Sequence, residues 1–113
     1  MPRSLALAVA LFVAAPVPAA DPPLTLALTK SDLGKLPAGW EAARTGEGKG
    51  SVWKVVADDT APSKSGLALA QTAAGPEGLF NLCVATKERF ANNVAVSVSL
   101  KAVAGKLDQG GGV

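Results

Sequence analysis

Residues 93–101 read Asn93-Val94-Ala95-Val96-Ser97-Val98-Ser99-Leu100-Lys101, with a branched apolar side chain at every second position. Because successive side chains of a strand point to opposite faces, this alternation predicts a β-strand with all four branched residues on one face. The residues between them are small or polar, which predicts a second face that is wet or thinly covered. This segment is the clearest strand pattern in the chain, and it favours an all-β fold.

Shorter segments upstream repeat the pattern at intervals of about ten residues, which is typical of an antiparallel β-sandwich. They are residues 24–28, 51–58, 67–71 and 79–85. In the second segment, Trp53 and Val55 share one face, and in the third, Leu67 and Leu69 are predicted to point inward. The continuous apolar run 79–85 predicts a strand that is buried over most of its length if its sheet is covered.

Glycine, proline and aspartate separate these segments and predict turns. Residues 31–34, 60–66 and 103–107 have turn or corner composition, and the bend at 36–40 delivers Trp40 into an extended piece. The glycine-rich stretch 45–50 lacks the Gly-Lys-Ser/Thr ending of a phosphate-binding loop, and no helical run follows it. We therefore interpret residues 45–50 as a hairpin loop.

The N-terminus has the three parts of a secretory signal peptide. A single cation precedes an uninterrupted small-apolar run over residues 5–15, and residues 16–20 read Pro-Val-Pro-Ala-Ala. The apolar run is about half the length that a membrane-spanning helix needs, so cleavage after export is favoured over anchoring. We predict a signal-peptide helix within residues 1–19, cleaved after Ala19, and a single mature domain over residues 20–113.

Charge and cysteine content bound the partners of the mature domain. The whole chain has eleven Lys and Arg residues and nine Asp and Glu residues, and loss of Arg3 with the leader leaves ten scattered basic residues against nine acidic ones. This balance predicts binding neither to nucleic acid nor to anionic lipid. Because no cysteine lies at the cleavage site, no lipid anchor is expected either. We predict a periplasmic or secreted bacterial domain with no stable membrane anchor after cleavage.

Few residues of the chain are suited to catalysis. The sequence has no histidine, which excludes the Ser-His triad and the usual zinc sites within these residues. A Ser-Lys dyad at Ser63 and Lys64 stays open, although their turn-rich loop favours solvated side chains. No glutamate has an acid two residues away, so the carboxylate spacing of jelly-roll glucanases is absent. The lone Cys83 lies in an apolar run and is interpreted as a small core residue. Catalytic residues therefore stay unassigned.

Two pairs of residues are candidates for binding. Asp58 and Asp59 end a strand pattern, and loop carboxylates of this kind can bind calcium, but turn formation is the favoured role. No cofactor is predicted. Trp40 and Trp53 each offer a ring that can stack on a sugar. Alternation with Val55 favours the core for Trp53, whereas Trp40 follows a bend and is the candidate ligand-binding residue.

A series of short motifs carries a family resemblance. In chain order they are Leu36-Pro37-Ala38-Gly39-Trp40, Thr45-Gly46-x-Gly48, Val52-Trp53-x-Val55, Ala61-Pro62-Ser63, Leu69-Ala70-Gln71, Val96-x-Val98-x-Leu100-Lys101 and Asp108-Gln109-x-Gly111-Gly112. In this order the motifs make the chain similar to exported bacterial jelly-roll domains related to the 3-keto-disaccharide hydrolase family. That family lies within the concanavalin A-like and laminin G-like superfamily.

The resemblance implies an antiparallel jelly-roll sandwich that is incomplete here, because similar domains add several strands after the Asp-Gln-x-Gly-Gly segment. It also implies a carbohydrate partner, for which two roles stay open. One is hydrolysis of a modified glycoside, and the other is glycan binding or adhesion without catalysis. A third alternative is a purely structural sandwich packed against another secreted partner. Asp108 and Gln109 join Trp40 as candidate ligand-binding residues, because neighbouring glycines let a ligand approach the backbone.

A chain that ends at Val113 is expected to fold poorly alone. Expressed residues 20–113 should aggregate or stay partly unfolded, because most of the second sheet would be missing and the last strand would have an open edge. Size-exclusion chromatography and thermal melting measure this. A monomer with a sharp cooperative melt would contradict the expectation.

Overall fold

The computed structural model describes residues 13–16, 25–90, 93–107 and 109–113. Across these residues the chain is mostly β, with four antiparallel strands in two small sheets and one 3-10 turn. The strands are β1 (Trp40–Thr45), β2 (Trp53–Ala57), β3 (Leu67–Gln71) and β4 (Phe80–Ala85). The all-β prediction is confirmed at this level. The predicted signal peptide, apart from residues 13–16, lies outside the described residues.

β2 and β3 form a hairpin whose register pairs Trp53 with Gln71 and Ala57 with Leu67. The Asp58 amide donates to the Gly66 carbonyl at 2.8 Å and closes the loop beyond the last strand pair. Gly66 has a φ of +72°, a backbone conformation that glycine adopts without steric cost. The turn predicted over residues 60–66 is therefore confirmed as the connection of this hairpin.

The opposite edge of β2 is also occupied. The 3-10 turn Lys30–Asp32 leads into residues 33–35, and Leu33 forms a parallel bridge with Val55. Gly34 donates its amide to the Val55 carbonyl and Val55 donates its amide to the Lys35 carbonyl, each at 2.9 Å. β2 is therefore flanked on both sides by backbone partners, and the turn predicted at residues 31–34 supplies one of them.

β1 pairs with β4 and not with β2, in a register that runs from Trp40–Ala85 to Thr45–Phe80. The glycine-rich residues 45–50 therefore connect strands of two different sheets, and the hairpin interpretation of this loop is wrong. Close packing explains the glycines: a Cβ on Gly46 would lie 2.7 Å from the Gly78 carbonyl oxygen. The loop presses against the turn before β4, which brings β4 beside β1.

The buried core of the described residues is small. Val55 and Leu67 are the buried apolar residues of the sheets. Pro37, which precedes β1, is also buried. In β4, by contrast, Phe80, Leu82 and Val84 are 68%, 38% and 45% exposed. The predicted burial of residues 79–85 is therefore wrong, because no layer covers this face of β4 within the described part of the chain.

The strand predicted at residues 93–101 is absent, because this segment has neither ladder nor bridge in the described structure. Its four branched residues are all more than half exposed. A strand exists only where a neighbour accepts and donates its backbone hydrogen bonds, and none lies beside it here. The described part of the predicted strand 24–28, residues 25–28, likewise forms no ladder.

The predicted corner at residues 103–107 is present as bends around Gly105, which has a φ of +140°. Beyond it the chain turns back, since a Cβ on Gly111 would lie 3.6 Å from the Leu100 side chain. Gly111 therefore lies beside Leu100, although neither residue belongs to a strand.

Truncation of the buried valine tests how far this small core stabilises β2 and β3. Val55→Ala should destabilise the hairpin by about 2 kcal/mol, from lost burial and the cavity left behind. Amide exchange of β2 and β3 should then accelerate about thirtyfold by hydrogen-exchange mass spectrometry or NMR. Val52→Ala is the matched control, because Val52 is 52% exposed and should change exchange little. Equal effects of the two substitutions would contradict the assignment of Val55 as the core.

Candidate functional site

Among the described residues, β-strands and exposed segments border a broad, open groove of about 3490 Å³. It is lined by β3, by β4 and by the exposed segments 93–107 and 109–113. Pockets for small molecules have volumes of about 300–1,000 Å³, so this groove is several times too large for one such ligand. Its size suits an extended chain.

Aromatic and amide side chains occur among the residues that line this groove. The aromatic residues are Trp40, Trp53, Phe80 and Phe90, and the amide residues are Gln71, Asn81, Asn93 and Gln109. Serine hydroxyls at Ser97 and Ser99 add polar groups on the exposed segment. Aromatic rings offer flat apolar faces and amides offer both donors and acceptors, which together suit a polar ligand with apolar faces.

Two of the three predicted ligand-binding residues line the groove. Trp40 is half-buried at the start of β1, and Gln109 is exposed near the C-terminus. The Gln109 amide nitrogen donates to the Leu107 carbonyl at 2.7 Å and packs so closely on Gly105 that a Cβ there would clash with it. The third, Asp108, lies outside the described residues.

Ser51 is a structural residue that sequence reasoning missed. Its hydroxyl shares its one hydrogen between the carbonyls of Ala43 in β1 and Leu82 in β4, and its amide donates to the Asn81 side chain. Its φ of +62° lies in the left-handed region, which is uncommon for a residue with a Cβ. Ser51 thus joins the start of β2 to both strands of the other sheet. The neighbouring Gly50 is the local sequence feature that fits this packing. A Cβ on Gly50 would lie 2.8 Å from the Leu79 side chain, so the loop can approach Leu79 only with glycine there.

Trp53 is positioned by the same serine. Its indole Nε1 donates to the Ser51 hydroxyl at 3.1 Å, and its side chain is half-buried and not part of the buried core. The core position on this face of β2 belongs to Val55. The core position predicted for Trp53 is therefore wrong, because burial along this face of β2 decreases toward the start of the strand. One face of β2 therefore extends from the core into the groove.

The acidic pair after β2 acts in a turn, as predicted for Asp58. The Asp58 carboxylate accepts hydrogen bonds from the Thr60 amide at 2.9 Å and the Thr60 hydroxyl at 2.6 Å. Its other oxygen lies 3.2 Å from Lys101 Nζ. Within the described ranges, no three acidic, histidine or cysteine side chains come together as a metal site would require.

These contacts set the charge of Asp58. Hydrogen bonds from Thr60, followed by the Lys101 ammonium, lower the pKa of the Asp58 carboxyl from 3.8 to about 2. Because the folded-state pKa is depressed, the stabilisation is present above the unfolded pKa and is lost as the pH falls toward 2. Asp58 therefore stays ionised across the neutral and mildly acidic range.

Cys83 is half-buried in β4, where burial raises the pKa of its thiol. A raised pKa leaves less thiolate at neutral pH, and thiolate is the reactive form. The predicted core position of Cys83 is wrong, because the side chain is only half-buried.

No protein-family model, curated protein or solved structure matches this chain. The described residues include no helix with both the length and the apolar character of a membrane span.

Two substitutions at Ser51 separate the hydroxyl from the backbone. Ser51→Ala removes the partner of the Trp53 indole and of two carbonyls while keeping the strained φ, and should cost about 1–3 kcal/mol. Ser51→Gly also removes the hydroxyl but relieves the left-handed strain, so it should be less destabilising than alanine by about 1 kcal/mol. Urea unfolding followed by tryptophan emission measures both. A more stable alanine variant than glycine variant would contradict the backbone assignment.

Proposed function

We propose that this chain is an exported jelly-roll sandwich of the concanavalin A-like type that binds carbohydrate without hydrolysing it. The observation that carries the proposal is the wide groove lined by aromatic, amide and hydroxyl side chains. Sugars present apolar C–H faces and rings of hydroxyl groups. Tryptophan and amide side chains complement both features.

The size and charge of the groove support a neutral polysaccharide as the ligand. An extended groove several times larger than a small-molecule pocket suits several linked sugar units. The acidic and basic residues of the chain nearly balance, at a formal net charge of +2, and they form no basic cluster in the sequence. Acidic polysaccharides would call for such a cluster.

The carboxylates of the groove support binding over hydrolysis. Three line its described part, namely Asp58, Glu77 and Glu88. Asp58 is engaged by Thr60 and Lys101. Glu77 and Glu88 lie three residues before and three residues after β4, whose six residues span roughly 17 Å. Glycosidases place their two carboxyl groups about 5–9.5 Å apart, which this arrangement does not favour.

The predicted export supports the same role, because it would bring the domain to polysaccharides outside the cytoplasmic membrane. The N-terminal residues 1–19 have the composition of a secretory leader. We place the mature domain in the periplasm or outside the cell, which intact mass of the exported protein tests. A mature chain that begins at residue 20 is expected, and a retained leader would contradict the proposal.

Tryptophan fluorescence tests the binding itself. The chain has two tryptophans and no tyrosine, so Trp53→Phe leaves Trp40 as the reporter. Titration of this variant with neutral β- and α-glucans should change the Trp40 emission. In the wild-type background, Trp40→Ala should weaken the affinity measured by calorimetry about tenfold, because a stacked ring and its buried area are lost. Val52→Ala, which lies outside the groove, should bind like the wild type.

Two outcomes would contradict this proposal in different ways. Absence of any emission change or heat with neutral polysaccharides would exclude glycan binding. Release of sugar products from a 3-keto-disaccharide or a glucan would favour the hydrolytic role that the family resemblance also implies. Product analysis by chromatography separates the second outcome from the first.

A further inference from the structure

We propose that Asp58, Thr60 and Lys101 form a latch that holds one side of the groove, the segment of residues 93–103, against the β2–β3 hairpin. The segment is called the wall segment below. This inference concerns the conformation of the chain and is independent of which ligand the groove accepts.

The wall segment has little else to fix its position. It has no ladder or bridge, and the side chains Val94, Val96, Val98 and Leu100 are 54–61% exposed. Burial and backbone pairing are the two terms that normally order a strand, and both are weak here. A polar contact at one end can therefore decide where the segment lies.

The latch joins the wall segment to the hydrogen-bonded loop between β2 and β3. Lys101 Nζ donates to Asp58 Oδ2 at 3.2 Å and to Thr60 Oγ1 at 2.9 Å. On the hairpin side, Asp58 is fixed by its own amide on Gly66 and by the Thr60 hydrogen bonds. One carboxylate oxygen thus closes the turn while the other is oriented toward Lys101. The lysine meets a preorganised acceptor pair, which lowers the entropic cost of the contact.

The position of the latch makes it sensitive to ions. The side chains of Lys101 and Asp58 are 56% and 23% exposed, so the ion pair is accessible to solvent and screened by salt. Exposed pairs are individually weak, and the latch should shift the closed population of the wall segment only several-fold. Such a shift changes how often the groove is open.

Spin-label distance measurements test the latch directly. In a Cys83→Ser background, Val52→Cys on the hairpin and Ser99→Cys on the wall segment place labels at two exposed positions. With the latch residues unchanged, the distance between the two labels should show one main population, which corresponds to the closed wall segment. Lys101→Met or Asp58→Asn should raise the population of longer distances about two- to fivefold, and so should about 1 M NaCl. Lys101→Arg should restore the closed population.

The controls separate the latch from a general charge effect. Lys106→Met and Asp59→Asn remove the same charges from neighbouring exposed positions and should leave the distances unchanged. The double variant Asp58→Asn/Lys101→Met should open the segment no further than either single variant, because both break one contact. The proposal is overturned if Lys101→Met leaves the distances unchanged, if Lys106→Met has the same effect, or if the two latch variants add.

Discussion

The double backbone pairing of β2 is the constraint on which the described fold depends. Antiparallel partners use alternate residues of a strand, so the amide and carbonyl of Val55 are available to residues 33–35 while its neighbours pair with β3. The register of β2 is strongly specified, because a one-residue shift would break the pairing on both edges and expose Val55. Ser51 then carries this order from the start of β2 to β1 and β4. The fold is built outward from a single buried valine.

Sequence patterns located the elements that depend on neighbours in the chain. Alternation placed β2 and β3 within the predicted segments, and a continuous apolar run placed β4. Glycine and proline located turns between them, because these signals act over a few residues. The pairing of β1 with β4 was not predicted. It joins residues some forty positions apart and arises from the close packing of Gly46 on Gly78, which no local pattern encodes. Alternation of side chains predicts which residues share a face of a strand, but it does not predict which other strand will pair with it.

Residues 93–101 show the limit of that reasoning most clearly. Their alternation is the most regular in the chain, yet the described structure gives them no strand. Side-chain period reports which residues would share a face, whereas a strand also requires a neighbour for its backbone groups. Leu82 and Val84 of β4 lack a packing partner in the same way, because they are apolar and substantially exposed. In both places the pattern predicts contacts with a further layer, and the described residues do not provide one.

The candidate site residues stay predictions. The bend before Trp40 and the motif that contains Asp108 and Gln109 suggested them, and Trp40 and Gln109 are among the many residues that border the groove. The contacts that organise the site, Ser51 on Trp53 and Lys101 on Asp58, were not predicted, because each joins segments whose approach is a tertiary event. The Ser51–Trp53 contact lies beside strands whose backbones are paired, whereas Lys101 lies on a segment that has no backbone ladder. Under the proposed function, the two sides of the groove would contribute differently to binding. Trp40 and Trp53 lie on strands with paired backbones, whereas residues 93–103 belong to no ladder and would be ordered by the ligand. That ordering would reduce the binding free energy, so we expect contacts on the paired strands to dominate affinity and those on residues 93–103 to govern access.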